Sequence, residues 1–274
     1  MKRYTTVLTI AGSDGSGGAG IQADIKTITA IGCYGLSVIT AVTAQNTRGV
    51  NAVYPVSEQC VIDQFQALVN DISIDAIKIG MLGNVKIIKT IAKLLRNLKS
   101  KPPIILDTIL KSSSGTVLLS SEAINSLKGE LFPMATLITP NIPEALLLSG
   151  IKTPLNTREA VEKCAMELIK TGCRAVFLKG GHGENNECCD CLVHDNLVRW
   201  FSSARILTQN THGTGCTLSS AIAAYMAKGE SIEEAIGDAK VFLNEAMHAG
   251  ADYHLGDGDG DGYGPLHHCY RLWK

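Results

Sequence analysis

The regular alternation of strand-like and helix-like segments is the feature that most restricts the fold of this chain. Short β-prone runs are separated by stretches whose apolar residues repeat with a helical period, as in VIDQFQALVNDI at 61–72. This alternation is typical of layered α/β proteins, in which helices flank a mainly parallel sheet. The predicted strands are YTTVLTI, LSVITAVTA, AIKIG, PIILD, ATLIT and AVFLK.

The later part of the sequence adds a hairpin and one further strand-like run. Residues 185–203, NNECCDCLVHDNLVRWFSS, predict a β-hairpin that turns at Asp195 and Asn196, because both residues tolerate turn conformations. RILTQ at 205–209 is also strand-like. No repeat, linker or change of composition divides the chain, so we expect a single domain over residues 1–274.

Length and charge favour a small-molecule partner. Apolar residues make up 45% of the 274 residues, and Lys+Arg 25 against Asp+Glu 26 gives a net charge of -1. This balance provides no broad basic surface for nucleic acid or for an anionic membrane. The apolar run from Val7 to Ala11 is interrupted by Thr9, which predicts a first strand rather than a signal peptide. We therefore expect a cytoplasmic protein, with reduced cysteines.

The first glycine loop follows the first predicted strand and reads AGSDGSGGAGIQAD. Gly15, Gly17 and Gly20 satisfy the dinucleotide-binding pattern G-x-G-x-x-G, so an NAD-dependent oxidoreductase is an alternative. The acidic residue expected about twenty positions later is missing, because the second strand ends in Gln45 and Asn46. The loop also lacks the Gly-Lys-Ser/Thr of a Walker A motif.

The second glycine loop, NTHGTGCT, precedes the helical stretch AIAAYMA. Gly213 and Gly215 flank Thr214, so consecutive backbone N–H groups can point into one concavity at the positive end of a helix. Lys179, at the end of a predicted strand, provides a cation. Because both loops follow strands of a parallel sheet, we expect them at the same sheet edge, as an anion site.

Taken together, AGSDGSGGAGIQAD, AQNTRGV, KIGML, TPNIPEA, LKGGH and NTHGTGCT resemble the hydroxymethylpyrimidine/phosphomethylpyrimidine kinases of thiamine biosynthesis. This family is a branch of the ribokinase-like superfamily, and the matching blocks extend to GPLHH at 264–268. The resemblance implies a three-layer sandwich, a homodimer, and the use of ATP and Mg²⁺. It also implies two successive phosphorylations of 4-amino-5-hydroxymethyl-2-methylpyrimidine.

The resemblance also implies roles for individual residues. Asp24 and Gln45 would contact the aminopyrimidine, whose edge needs a donor and an acceptor. The pyrimidine would also contact Gly12, Ala19, Met81 and Ile109. The nucleotide phosphates would contact Lys179, Thr211, Gly213 and Gly215. The magnesium would be held, directly or through water, by Asp107, Asn141 and Glu144. Without the family, Glu144 reads as an acid in the first turn of a helix.

Cys216 stands where sugar kinases of the superfamily carry an aspartate base. A helix N-terminus lowers the pKa of a cysteine, so the sequence allows a thiolate base. The second transfer has a phosphate acceptor that is already ionised near neutral pH, and it needs no base. We therefore hypothesise that Cys216 assists only the first phosphorylation.

Several alternatives remain open from the sequence. A pyridoxal kinase of the same fold would also take a flat heteroaromatic alcohol. Asp257, Asp259 and Asp261 resemble half of an EF-hand, but His268 stands where the pattern has Glu. One cysteine cluster could suggest zinc, formed by Cys188, Cys189 and Cys191 with His182 and His194 nearby, but no second C-x-x-C is present. The adenine pocket is expected between residues 198 and 240.

Overall fold

The structure, a computed structural model, describes residues 2–110, 115, 118–180, 187–256 and 262–273. Its strands are β1 Thr6–Asp14, β2 Tyr34–Asn46, β3 Gly49–Pro55, β4 Ala76–Ile79, β5 Ile104–Leu106, β6 Leu137–Ile138, β7 Ala175–Leu178, β8 Glu187–His194 and β9 Leu197–Ala204. Its α-helices are α1 Gly20–Ala30, α2 Glu58–Val69, α3 Val85–Arg96, α4 Ser121–Glu130, α5 Ile142–Ser149, α6 Arg158–Ile169, α7 Thr214–Ala227 and α8 Ile232–Gly250. A short 3-10 helix spans Phe132–Met134.

All nine strands belong to one sheet, in the order β3-β2-β1-β4-β5-β6-β7-β8-β9. The central strands, from β2 to β7 in this order, pair in parallel. Antiparallel strands close the two edges, β3 beside β2 and the β8–β9 hairpin beside β7. The predicted mainly parallel α/β sheet is confirmed.

The sheet buries a core on each of its faces because neighbouring residues of a strand point to opposite sides. In β1, Leu8 and Ile10 pack into one core, which helices α2 to α6 cover. Val7 packs into the other core, against α1, α7 and α8. The glycine loops lie outside these cores, where the parallel strands end.

The six predicted central strands and the hairpin are confirmed. Asp195 and Asn196 have φ of 49° and 63°, which is the left-handed conformation expected for a tight hairpin turn. The strand predicted at 205–209 is wrong. After β9 the chain leaves the sheet, and this segment runs beside a cavity toward α7, so no neighbouring strand pairs with it.

Polar side chains lie at one edge of the sheet, where the parallel strands end. Asp14 ends β1, Asp107 follows β5 and Lys179 follows β7. Carboxyl ends of parallel strands meet at the same edge, which is where open α/β sheets bind ligands. In the described parts of the chain, no helix is both long and apolar enough to span a bilayer.

Candidate functional site

A cavity of about 1200 Å³ lies over the carboxyl ends of the parallel strands. We call one part the β1 end; it is lined by Gly12, Ala19, Gln45, Met81 and Ile109. We call the opposite part the α8 end; it is lined by Ile206, Leu207, Leu243, Asn244 and Met247. The first residues of α7, Thr214 and Gly215, line the same cavity.

The N-terminus of α7 points into the middle of the cavity. The helix begins at Thr214, and its N-cap residue Gly213 has φ of 88° without a side-chain hydrogen bond. A Cβ atom on Gly213 would lie 1.8 Å from the carbonyl oxygen of Gly18, so only glycine lets the two loops approach this closely. Thr211, Gly213, Thr214 and Gly215 line the cavity. Free N–H groups at a helix start form an anion site.

Lys179 brings a positive charge to this anion site. Its Nζ atom lies 3.2 Å from Asp107 Oδ1, and the two side chains are 16% and 3% exposed. Burial alone would lower the pKa of Lys179, but the carboxylates of Asp107 and Glu144 raise it. Lys179 therefore remains charged at the mouth of α7.

Asp107 and Glu144 face the same cavity, but their pKa values are shifted in opposite directions. Burial opposes the charge of Asp107, yet Lys179, Lys78 and the Thr139 hydroxyl hold its pKa below the ordinary value. Burial, together with the charge of Asp107, raises the pKa of Glu144. A buried carboxyl with a raised pKa favours a further cation beside it.

Asn141 and Glu144 also hold the start of α5. The Asn141 side chain accepts a hydrogen bond from the Glu144 backbone N–H at 2.9 Å, and a Glu144 carboxylate oxygen accepts from the Asn141 N–H at 2.9 Å. This is a capping box, so the interpretation of Glu144 as a helix N-terminal acid is correct. Both residues nevertheless line the cavity.

Cys216 lies in the first turn of α7 and is almost fully buried. Burial, reinforced by the charges of Asp24 and Asp107, raises the pKa of its thiol to about 11, although Lys78 opposes the shift. The prediction of a lowered pKa is therefore wrong. The helix dipole is outweighed because the thiol is desolvated and has carboxylates as neighbours.

Asp24 is the predicted site residue that does not face the cavity. Its carboxylate is sealed in the core, where it accepts hydrogen bonds from Lys78 Nζ at 2.8 and 2.9 Å. The hydroxyls of Thr9 and Ser220 donate to the same carboxylate at 2.5 and 2.7 Å. The predicted contact with a pyrimidine is contradicted, because this face of α1 packs against the sheet and α7.

Sequence reasoning missed two cavity residues, Asp14 and His212. Asp14 Oδ2 lies 2.8 Å from His212 Nε2, and the same imidazole nitrogen lies 3.2 Å from Gln45 Nε2. Each residue stands inside a glycine loop that the sequence did mark. Nothing in the local sequence links residues 198 positions apart, so only the fold shows this contact.

The α8 end of the cavity extends beyond the segment 198–240 that the sequence suggested. Helix α8 contributes Leu243, Asn244 and Met247, which lie further along the chain. A buried ion pair between Lys240 and Asp190 also lines the cavity, and Asp190 accepts a hydrogen bond from the Gly180 N–H at 2.8 Å. This end therefore combines apolar walls with a few fixed polar groups, as in most small-molecule sites.

The described residues give no support to a zinc site at the cysteine cluster of β8. Within the described residues, no group of three or more His, Cys, Asp or Glu side chains could hold a metal ion. Cys188, Cys189 and Cys191 are free cysteines on β8. His182 and the acidic residues of 257–261 lie outside the described residues.

Comparisons with known proteins agree with the geometry. A family model described as phosphomethylpyrimidine kinase matches residues 14–265. The hydroxymethylpyrimidine/phosphomethylpyrimidine kinase of Rhizobium meliloti is 45% identical over 268 residues, which cover 97% of this chain and 98% of that protein.

Two solved structures show the same ribokinase-like architecture, as predicted. The phosphomethylpyrimidine kinase from Clostridium difficile has a TM-score of 0.78 and 42% identity, covering 88% of this chain and 99% of that chain. The pyridoxal kinase from Staphylococcus aureus in complex with AMP-PCP and pyridoxal has a TM-score of 0.86 and 30% identity, covering 98% and 95%. This chain is a phosphotransferase and belongs to the phosphomethylpyrimidine kinase family.

Proposed function

We propose that this protein transfers phosphoryl groups from ATP to 4-amino-5-hydroxymethyl-2-methylpyrimidine and then to the resulting monophosphate. The observation that carries the proposal is the anion site of α7, with Lys179 beside it, in one cavity that is also lined by the β1 end and the α8 end. Phosphoryl transfer needs donor and acceptor held on opposite sides of such a charge-stabilising centre.

The α8 end suits the nucleotide. Its apolar side chains offer surfaces for a flat base, and Thr211, Gly213 and Gly215 line the same cavity. A related pyridoxal kinase has been solved with the nucleotide analogue AMP-PCP. We place the adenine at the α8 end and the phosphates over the start of α7, with Lys179 as their cation.

The cavity also fits a magnesium ion. The carboxylates of Asp107 and Glu144 face the same space. Burial and the charge of Asp107 raise the pKa of Glu144 even though Lys179 lies nearby, so a further cation would stabilise its charged form. Mg²⁺ takes a few carboxylate oxygens, directly or through water, and bridges nucleotide phosphates. Asp107, Glu144 and Asn141 would hold it, and it would neutralise phosphate charge during transfer.

The β1 end suits the acceptor. Gln45 offers an amide to a ring edge, while Met81 and Ile109 offer apolar surfaces to its faces. With its thiol neutral, Cys216 supplies no thiolate base at the transfer point. Phosphoryl transfer through a loose transition state depends mainly on positioning and charge stabilisation, so the hydroxyl acceptor does not require a thiolate base. The phosphate acceptor of the second step is already ionised.

A coupled assay of the purified protein tests the proposal. The protein is given ATP, Mg²⁺ and either hydroxymethylpyrimidine or pyridoxal, and monophosphate and diphosphate products are resolved. We expect the pyrimidine diphosphate, formed through the monophosphate. Absence of any pyrimidine phosphate from active protein would refute the assignment.

Pyridoxal is the second candidate acceptor. It is favoured by the close structural similarity to the pyridoxal kinase from Staphylococcus aureus, which was solved with pyridoxal bound. Turnover of pyridoxal without the pyrimidine would keep the nucleotide end and the anion site as proposed. It would overturn the assignment of Gln45 to an aminopyrimidine edge.

Assembly and location follow the family in this proposal. The resemblance implies a cytoplasmic homodimer with one kinase domain per chain. Sedimentation of the purified protein measures the mass of the assembly, and a monomer at micromolar concentration would remove the dimer from the proposal.

A further inference from the structure

Asp14 and His212 hold the two glycine loops together at the β1 end of the cavity. Asp14 Oδ1 accepts hydrogen bonds from the backbone N–H and the hydroxyl of Ser16, at 2.9 and 2.7 Å. Its Oδ2 accepts from the Ala19 N–H at 2.9 Å and lies 2.8 Å from His212 Nε2. Although burial opposes its charge, these partners lower the pKa of Asp14 to about 2. Asp14 is therefore ionised and can only accept hydrogen bonds.

An ionised Asp14 fixes the tautomer of His212. An imidazole nitrogen 2.8 Å from a carboxylate oxygen must carry a proton, because two lone pairs would repel each other at this distance. The same His212 Nε2 lies 3.2 Å from the Gln45 Nε2 atom. That pair would place two donors against each other.

A second conflict arises at the other terminal atom of Gln45. Its Oε1 lies 3.2 Å from Thr43 Oγ1, and this hydroxyl lies 3.0 Å from the carbonyl oxygen of Ser13. The single hydroxyl proton of Thr43 cannot serve both acceptors fully. Both conflicts disappear if the two terminal atoms of the Gln45 amide exchange places, because amide oxygen and nitrogen are assigned from their partners.

We infer that Asp14 and His212 are positioning residues that fix the orientation of the Gln45 amide, with its oxygen toward the imidazole and its NH₂ group toward Thr43. The single Nε2 proton of His212 then points mainly at Asp14, 2.8 Å away, and is shared more weakly with the Gln45 oxygen at 3.2 Å. Gln45 donates to Thr43, and Thr43 donates to the Ser13 carbonyl. No contact then places two donors against each other, and the Thr43 proton serves one acceptor.

Close packing restricts the rotation of the His212 imidazole and so maintains the orientation of the Gln45 amide. A Cβ atom on Gly18 would lie 2.3 Å from His212 Cδ2, so the imidazole is pressed against the bare backbone of the first glycine loop. His212 is largely buried, and Asp14 more so. The ring therefore has little freedom to rotate away from Asp14.

A fixed Gln45 amide favours one orientation of a bound ring over the other. Gln45 lines the cavity, where it presents an acceptor on the His212 side and a donor on the Thr43 side. A 4-aminopyrimidine offers the complementary edge, an amine donor beside a ring-nitrogen acceptor. This reading of the ligand rests on the proposed function. A flat ring without the amine leaves the Gln45 oxygen without a donor, which costs affinity.

Binding measurements on paired ligands test the inference. The dissociation constants of hydroxymethylpyrimidine and of its analogue without the 4-amino group are measured by calorimetry in wild type, His212→Phe and His212→Gln. We expect the wild type to prefer the amino ligand about tenfold, the size of one good hydrogen bond. His212→Phe should reduce the preference to about twofold, whereas His212→Gln keeps a donor and should retain it.

Two further readouts separate the possible failures. An unchanged preference in His212→Phe, with nucleotide affinity and melting temperature equal to wild type, would overturn the positioning role. If the wild type binds neither ring, the proposed function fails, and nitrogen NMR of the free protein still tests the network. A His212 Nε2 without a proton at neutral pH would overturn the inference whatever the substrate is.

Discussion

Two lysine–aspartate pairs lie near the start of α7, and they differ in what surrounds them. Lys78 and Asp24 are both 0% exposed and lie 2.8 Å apart in the core. Lys179 and Asp107 lie 3.2 Å apart, 16% and 3% exposed, and both line the cavity. The same two residue types therefore serve the core in one place and the site in the other.

Hydrogen bonding explains the different roles. Asp24 is saturated, because the Thr9 and Ser220 hydroxyls donate to it in addition to Lys78. Lys179 instead balances two carboxylates, Asp107 and Glu144, that both face open space. A saturated buried pair contributes to the fold, whereas a pair with an unbalanced neighbour is ready for a charged ligand.

Lys78→Met gives the largest expected effect and tests the sealed pair. Removing one partner leaves Asp24 charged and unpaired in the core, so we expect the free energy of unfolding to fall by about 3–5 kcal/mol. Urea unfolding measures this loss. A change below about 1 kcal/mol would show that Lys78 and Asp24 do not form a buried ion pair in solution.

A double variant is the matched control for Lys78→Met. Adding Asp24→Leu removes the second charge, and apolar replacement of a buried ion pair is often close to neutral. We expect the double variant to recover part of the lost stability. The recovery stays incomplete because the Thr9 and Ser220 hydroxyls lose their acceptor.

Lys179→Met should affect turnover rather than folding. Loss of a charge-stabilising group at a transfer centre lowers kcat by about 10²–10³-fold, whereas we expect only a small change in melting temperature. Steady-state kinetics and thermal melting measure both. Lys170→Met is the control, because that lysine is 69% exposed at the C-terminal end of α6 and forms a surface ion pair with Glu167 of the same helix. Equal losses in the two variants would contradict the division between the pairs.

His268 extends the comparison to pH, because it is another sealed titratable group. Burial lowers its pKa to about 4, and Thr217 Oγ1 lies 2.9 Å from its Nε2 atom. A histidine with a lowered pKa in the folded state contributes stability above its unfolded pKa of about 6.5. This stability is lost as the pH falls from 6.5 toward 4.

The expected loss from His268 is about 2 kcal/mol between pH 7.5 and pH 5. Urea unfolding at the two pH values measures it, and His268→Gln is the control because glutamine does not titrate and can still bond to Thr217. The variant should lose about that much less stability on acidification than the wild type. Equal losses of unfolding free energy in the two proteins would show that His268 does not cause the pH dependence.

The sequence predicted the parts of this molecule that depend on local pattern. Alternating apolar periods predicted the central strands, and the position of the glycine loops predicted that they lie at one edge of the sheet with Lys179 as their cation. The position of Asp24 was misjudged because a polar residue near the start of a helix looks the same whether it faces a cavity or the core. The contact between Asp14 and His212 joins loops 198 positions apart, so no local pattern contains it.

Cys216→Ser should have the smallest effect and decides between two views of the second glycine loop. With a thiol pKa of about 11, the side chain is neutral at the pH of the reaction, and a serine hydroxyl replaces it without removing a base. We expect both phosphorylations to change by less than about threefold, because the backbone N–H of residue 216 is retained. Single-turnover rates of the two steps, measured separately, check this. A large loss confined to the first step would restore the thiolate base that the sequence suggested. The structure favours the other outcome, because burial and the charges of Asp24 and Asp107 raise this pKa, and the buried pair with Lys78 holds Asp24 in place.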